Sequence, residues 1–265
     1  MLEIGLIGGG GIVRDVIRAV RSSFSAEVRI AGCLIRGDGA GGSSFDGVSV
    51  ARSLPELLAR GPTLVAELAS QQAVSQYGAD VLGNGADLLV ASTGALADPT
   101  IYESLRAAAA AGDARVLIPA GAVGGLDILG ALRLGGLSEV VYRSRKPPNA
   151  WMGTAAEMLV DLKGIVSATT FFTGSAREAA STFPQNANVA ATIALAGIGF
   201  DETRVELIAD PDRRTNRHEL EAWGEIGRTS IAIESKPSAS NPKTSAVTAF
   251  SIVRALANEA LTLVV

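Results

Sequence analysis

One histidine and one cysteine in 265 residues remove whole classes of chemistry at the outset. Zinc and most transition-metal sites need several His, Cys or carboxylate ligands at set spacings, and no such cluster is present. Cys33, alone in an apolar run, cannot close an intramolecular disulfide, and no CxxC pair exists for redox or metal work. A buried core thiol is the expectation. Aromatics are 5% of the chain against 48% hydrophobic residues, so the core is built from Ala, Val, Leu and Ile. Neither sign of charge dominates: 23 Lys and Arg face 27 Asp and Glu, for a net charge of −4. Without a basic stripe or aromatic-basic interleaving, a nonspecific nucleic-acid binder is excluded. No apolar run reaches the roughly 18 residues of a membrane span. No basic segment followed by an apolar signal-type stretch precedes the first strand-like run. These absences point to a soluble protein of the reducing cytoplasm, with neither membrane nor nucleic acid as partner.

What is abundant is glycine, with 30 residues, as many tight βα turns require. The first half alternates short apolar runs with helical patterns. Strands are expected at 2–7, 28–35, 63–68, 87–90 and 115–118. Helices are expected at 13–20, 53–60, 71–82 and 99–111, and Ser53-Leu54-Pro55-Glu56 has the form of a capping box. Repeated βα units of this length imply a doubly wound parallel sheet with helices on both faces. After about residue 136 the pattern changes. Strands at 139–145, 168–172, 204–209, 219–226 and 229–234, the last two joined by a tight turn at Gly227, predict a second α/β domain with a mixed sheet. A helix is expected at 187–196 and another at 244–260. The chain is therefore divided into 1–120, completed by 240–265, and 121–239, with Pro237-Ser238-Ala239-Ser240-Asn241-Pro242 as the return linker.

Gly8-Gly9-Gly10-Gly11-Ile12-Val13 lies between the first strand and the first helix. Glycine there lets the backbone approach a pyrophosphate, which the helix N-terminus then stabilises. The best register is Gly8-x-Gly10-x-x-Val13, with valine in place of the third glycine. Gly8, Gly10, Gly11 and Ile12 are the candidate cofactor contacts; the alternative is a glycine-rich turn without ligand. The second strand ends at Leu34-Ile35-Arg36-Gly37-Asp38. An acidic residue at that point selects NAD through its ribose hydroxyls, whereas arginine accommodates a 2′-phosphate, so NADP is expected alongside NAD. The alternative is an ordinary surface arginine.

His218 is the chain's only imidazole, the side chain whose unperturbed pKa lies near neutrality. Any histidine acid–base chemistry happens there; the ordinary alternative is a solvated loop residue. Asp98 and Asp127, each following a small-residue block, are read as helix N-caps rather than as acids.

Several blocks occur in order along nearly the whole chain. They are Ala91-Ser92-Thr93-Gly94-Ala95-Leu96-Ala97-Asp98, Ile118-Pro119-Ala120-Gly121-Ala122-Val123-Gly124-Gly125-Leu126-Asp127 and Arg145-Lys146-Pro147-Pro148. Phe183-Pro184-Gln185-Asn186-Ala187-Asn188 follows, then Ala209-Asp210-Pro211 leading to Asn216-Arg217-His218, and Asn241-Pro242-Lys243-Thr244-Ser245. Together they resemble the L-aspartate dehydrogenase family. Ala120 departs from the serine common before Gly-Ala. The resemblance implies a Rossmann domain for NAD or NADP, an α/β catalytic domain and a homodimer. It places Ala122 and Asn188 near the nicotinamide and makes His218 the catalytic histidine. The reaction implied is oxidative deamination of L-aspartate through iminosuccinate to oxaloacetate and ammonia. Histidine suits removal of a proton and activation of water. A substrate with two carboxylates calls for cationic and amide donors, for which Lys146, Arg145, Lys243 and Asn186 are the candidates. For Asn186 and Asn188 helix capping is the ordinary alternative. The reaction serves NAD biosynthesis, aspartate catabolism or, in reverse, amination of oxaloacetate. The competing readings are a different Rossmann-type amino- or keto-acid dehydrogenase and a non-catalytic NAD(P) sensor.

Overall fold

A computed structural model describes residues 1–36, 43–238 and 244–264. The chain forms two compact units, Met1–Pro119 with Ala249–Val265, and Ala120–Thr248. The first contains β1 (Leu2–Ile7), α1 (Gly11–Ser23), β2 (Val28–Leu34), β3 (Ser44–Phe45), β4 (Val48–Ala51), α2 (Leu54–Leu58), β5 (Leu64–Glu67), α3 (Gln71–Gly83), β6 (Asp87–Val90), α4 (Pro99–Gly112) and β7 (Val116–Leu117). The second contains α5 (Leu126–Leu134), β8 (Leu137–Lys146), α6 (Ala156–Leu159), β9 (Thr169–Ser175), α7 (Ala176–Thr182), α8 (Asn188–Ala196), β10 (Arg204–Ala209), β11 (Asn216–Gly224) and β12 (Gly227–Ser235). Helix α9 (Val247–Asn258) then returns the chain to the first unit.

In the first unit the strands are short and apolar because both of their faces are covered. Ile4 and Leu6 of β1, with Leu64 and Ala66 of β5, share a buried cluster with α1 and α9. The intervening Gly5 faces the other way, where a Cβ would meet Leu57 of α2. Helix α1 supplies Val13, Val16, Ile17 and Val20, and α9 supplies Ala249, Ile252, Val253 and Leu256, each set at helical spacing. Burying each of these Val, Ile and Leu side chains contributes about 1.5–3 kcal/mol. Ser53 and Asp98 cap α2 and α4 as expected, accepting from the backbone N–H of Glu56 and Thr100. The capping box is only half formed, because the Glu56 carboxylate reaches back to the N–H of Arg52 instead.

The sheet order is β3-β4-β2-β1-β5-β6-β7. All pairings are parallel except β3–β4, an edge hairpin that the sequence expectation lacks. Its turn is Asp46-Gly47, both at positive φ (48° and 74°), a pair suited to a two-residue hairpin. Strand order reverses between β1 and β5, so the C-terminal ends of these two strands flank the switch point where doubly wound sheets bind ligands.

The second unit has a mixed sheet, β12-β11-β8-β10-β9. Strand β8 pairs parallel with β10 and antiparallel with β11. The β11–β12 hairpin turns at Glu225-Ile226, between Gly224 and Gly227, rather than at Gly227 itself. Strand β11 alternates buried Asn216, His218, Leu220 and Ala222 with half-buried Arg217, Glu219 and Glu221. The half-buried face is an ion-pair layer: Arg143 bridges Glu206 and Glu221, and Arg217 bridges Glu219 and Glu234. Among the described residues, no helix is long and apolar enough to cross a membrane.

Candidate active site

The glycine turn in the first unit leads from the end of β1 to an uncapped N-terminus of α1. Gly8 sits at φ +131°, and a Cβ there would approach the Leu68 carbonyl oxygen to 3.1 Å. Gly10 has open space where a Cβ would stand. It is the N-cap of α1 and has no side chain to satisfy the N–H groups of the first turn, which starts at Gly11 and Ile12. Those N–H groups and the helix dipole suit an anion. Val13, in place of the third glycine, is fully buried in the core cluster, its Cγ2 beside Gly8. Cys33 is a core thiol as expected, buried beneath the turn, donating to the Gly8 carbonyl and pushed up to about 12 by burial. Arg36 lies exposed just after β2, its guanidinium donating to Gln76 Oε1 at 3.2 Å.

Glu67, at the end of β5, is a feature the sequence reading missed. It is 1% exposed, and its carboxylate ties the residues just after it to Ser92, 25 positions on. Oε1 accepts from the N–H groups of Ala69 and Ser70 at 2.7 and 2.8 Å and from Ser92 Oγ at 3.1 Å. Oε2 accepts from Ser92 N–H at 3.0 Å. Burial pushes its pKa up against these four donors. One carboxylate thus pins the loops that follow β5 and β6 at the C-terminal edge of the sheet. Glu67→Ala would leave the donors without their acceptor, and a loss of about 3 kcal/mol or more in unfolding free energy is expected. A urea midpoint unchanged from wild type would remove the clamp.

In the second unit two of the expected residues, His218 and Lys146, share one buried sheet face. Alternation along β8 places Tyr142, Ser144 and Lys146 together, and the β8–β11 register puts His218 opposite Ser144. His218 is 4% exposed and lies on a strand, so the loop reading is overturned. Its Nδ1 is 2.7 Å from Tyr142 Oη, and its Nε2 is 3.5 Å from Ser245 Oγ. Burial, with the nearby Lys146 charge adding to it, lowers the imidazole to about 3. Lys146, 5% exposed, is itself lowered to about 8 by burial. Its ammonium donates to Asn186 Oδ1 at 3.0 Å and lies 4.9 Å from the Trp151 ring centroid. Asn186 Nδ2 is buried without a hydrogen-bond partner.

Arg145 does not join this group. As Lys146's neighbour on a strand it points to the opposite face, where it pairs with Asp210 at 3.3 Å. Lys243 lies outside the described residues. Ala122 sits buried in the turn before α5, and Asn188 opens α8, the helix that α5 packs against. The capping readings for Asn186 and Asn188 do not hold, because the N-cap of α8 is Ala187 and no side chain caps it. Asp127 likewise lies in the first turn of α5, behind an N-cap at Gly125. Tyr142, Ser144 and Ser245 were missed as site residues; the period-2 spacing 142–144–146 was the available signal for the first two. Among the described residues no group of three or more His, Cys, Asp or Glu is placed to hold a metal ion.

Comparison with known proteins gives a consistent picture. Residues 127–259 match the family described as "Aspartate dehydrogenase, C-terminal", and residues 8–119 match "Homoserine dehydrogenase, NAD binding domain". The L-aspartate dehydrogenase of Cupriavidus taiwanensis is 42% identical over 98% of this chain and 98% of that protein. That of Pseudomonas aeruginosa is 49% identical over 75% of this chain and 74% of that protein. The crystal structure of aspartate dehydrogenase from Thermotoga maritima superposes with a TM-score of 0.81 at 28% identity, covering 100% of this chain and 99% of that one.

Proposed function

The chain belongs to the aspartate dehydrogenase family, and we propose that it oxidatively deaminates L-aspartate with His218 as general acid/base. It is an oxidoreductase that uses NAD or NADP. The observation that carries the mechanism is the buried neutral imidazole in one cluster with Lys146 and the unpartnered Asn186 amide.

When bound, NAD or NADP would supply the hydride acceptor for the substrate Cα–H. Gly8, Gly10 and the first-turn N–H groups at Gly11 and Ile12 would hold the pyrophosphate, and Ala122 and Asn188 would lie at the nicotinamide end. Lys146 has three N–H donors, one of them directed at Asn186 Oδ1, which leaves two for a substrate carboxylate. Asn186 Nδ2, facing no protein acceptor, is a further donor for the same carboxylate. Burial lowers His218 to about 3, so the imidazole is neutral in the free enzyme near pH 7. It therefore accepts a proton without first having to lose one. A bound dicarboxylate offsets part of the Lys146 charge that opposes imidazolium, making the proton easier to take up as the reaction proceeds. His218 then takes a proton from water as water adds to iminosuccinate and returns it as ammonia leaves, giving oxaloacetate. Reductive amination of oxaloacetate is the same path reversed.

Mixing the protein with L-aspartate and NAD or NADP is expected to give absorbance of reduced nicotinamide, and D-aspartate, L-glutamate and L-alanine little. The ratio of rates with the two cofactors tests Arg36. Tight NAD(P)H binding with no turnover on L-aspartate would sink the proposal. A homodimer belongs to the same reading, and sedimentation equilibrium measures it directly.

A further inference from the structure

His218 has two nitrogens, and proton transfer to the substrate side needs one of them free of hydrogen. Nδ1 is already engaged, 2.7 Å from Tyr142 Oη. Nε2 therefore has to be the acceptor, and a neutral imidazole with a bare Nε2 must carry its hydrogen on Nδ1. We propose that Tyr142 is a positioning residue that holds His218 in this Nδ1–H tautomer by accepting the Nδ1–H bond. The inference rests on the general-base reading of His218 given above.

Three observations support this direction. First, Tyr142 is wholly buried, and burial raises its pKa, so the phenol keeps its own proton and must place it. Second, the next residue on that strand face, Ser144, carries a buried Oγ with no hydrogen-bond partner. It stands beside the phenol on the same strand face. It is the available acceptor for the Tyr142 proton once Tyr142 Oη accepts from the imidazole. Third, Ser245 Oγ accepts from Asn216 Nδ2, a group that can only donate, at 3.4 Å. Its own hydrogen is then available to point at His218 Nε2, 3.5 Å away, as a bare nitrogen requires. The hydrogens run in one sense, from Ser245 to His218, to Tyr142, to Ser144. Substrate water replaces Ser245 at Nε2 when the base works.

The ring geometry suits this role. Tyr142 lies diagonally across the β8–β11 pair from His218, because His218 pairs with Ser144 and Leu220 with Tyr142. The two rings are nearly parallel, at 8°. Both side chains rise from paired strands, so the hydroxyl is held against Nδ1 by the register rather than by a loop. In its absence imidazole prefers the Nε2–H form, which presents a hydrogen where the reaction needs a lone pair.

Because His218 is the chain's only histidine, the imidazole signals of uniformly 15N-labelled full-length protein belong to it alone. Spectra are recorded with and without bound NAD. Wild type is expected to show a protonated Nδ1 and a bare Nε2 at neutral pH. In Tyr142→Phe the tautomer is expected to shift toward Nε2–H, with kcat down about tenfold or more and KM for aspartate within about twofold. A wild-type spectrum with hydrogen on Nε2, or an unshifted tautomer in Tyr142→Phe, overturns the assignment. The wild-type spectrum decides even where the variant fails to fold. Failure here is separable from failure of the functional reading: an inert His218→Ala enzyme beside an unaltered Tyr142→Phe enzyme removes only the role of Tyr142.

Discussion

His218→Ala is expected to lower kcat for L-aspartate by on the order of 10²- to 10⁴-fold, the usual contribution of a positioned acid–base group. Cofactor affinity, measured by nicotinamide fluorescence, is expected to change little, because the glycine turn belongs to the other compact unit. Near-normal turnover in this variant would remove His218 from the mechanism. The same residue makes a stability prediction whose sign follows from its pKa. The imidazole is lowered to about 3 in the folded protein from 6.5 when unfolded. Between these values the unfolded chain binds the extra proton, so stability is complete above pH 6.5 and declines as pH falls toward 3. At 1.36 kcal/mol per unit, about 2 kcal/mol is lost between pH 7 and pH 5. His218→Ala abolishes that slope while leaving the Tyr142 hydroxyl without its partner, at a cost of about 1–3 kcal/mol. Denaturant titrations of both proteins across this range separate the two effects.

The second large effect is expected at Lys146. Lys146→Met keeps much of the apolar stem against Trp151 and removes the charge. A charge-assisted hydrogen bond contributes about 1.5–3 kcal/mol, so KM for aspartate is expected to rise roughly 10- to 150-fold with a smaller change in kcat. A fall confined to kcat would move Lys146 from substrate binding to the chemical step. The lysine is lowered to about 8 by burial. It is therefore mostly charged at pH 7 and loses its proton as pH rises through about 8. Inhibition by a dicarboxylate without an amine, such as succinate, avoids titration of the substrate itself. Its Ki is expected to climb nearly tenfold per pH unit above pH 8 in wild type and to stay flat in Lys146→Met.

What the sequence by itself determined was whatever depends on neighbours along the chain. The alternation of short apolar runs and helical patterns through residue 118 specified the βα order, because strand and helix periods are local. The glycine turn was legible for the same reason: Gly8 to Ile12 stand between a strand and a helix, and backbone conformation there is set by a few consecutive residues. The ordered blocks brought His218, Asn186 and Lys146 forward as candidates. The Asp46-Gly47 hairpin was equally local and could have been read. Arg145 beside Lys146 shows where local reading misled, since adjacent basic residues on a strand face opposite ways.

The tertiary structure alone decided the electrostatic state of the site. Burial of His218 and Lys146 on one sheet face sets their pKa values, and burial depends on which helices cover that face. The Tyr142–His218 contact joins residues 76 apart through the register of two antiparallel strands. The Glu67 clamp joins loops 25 residues apart because β5 and β6 lie side by side. Strand register and sheet order are global outcomes of packing, whereas periodicity and turn chemistry act over a few residues, which is why the sequence revealed the candidates and only the fold revealed their partners.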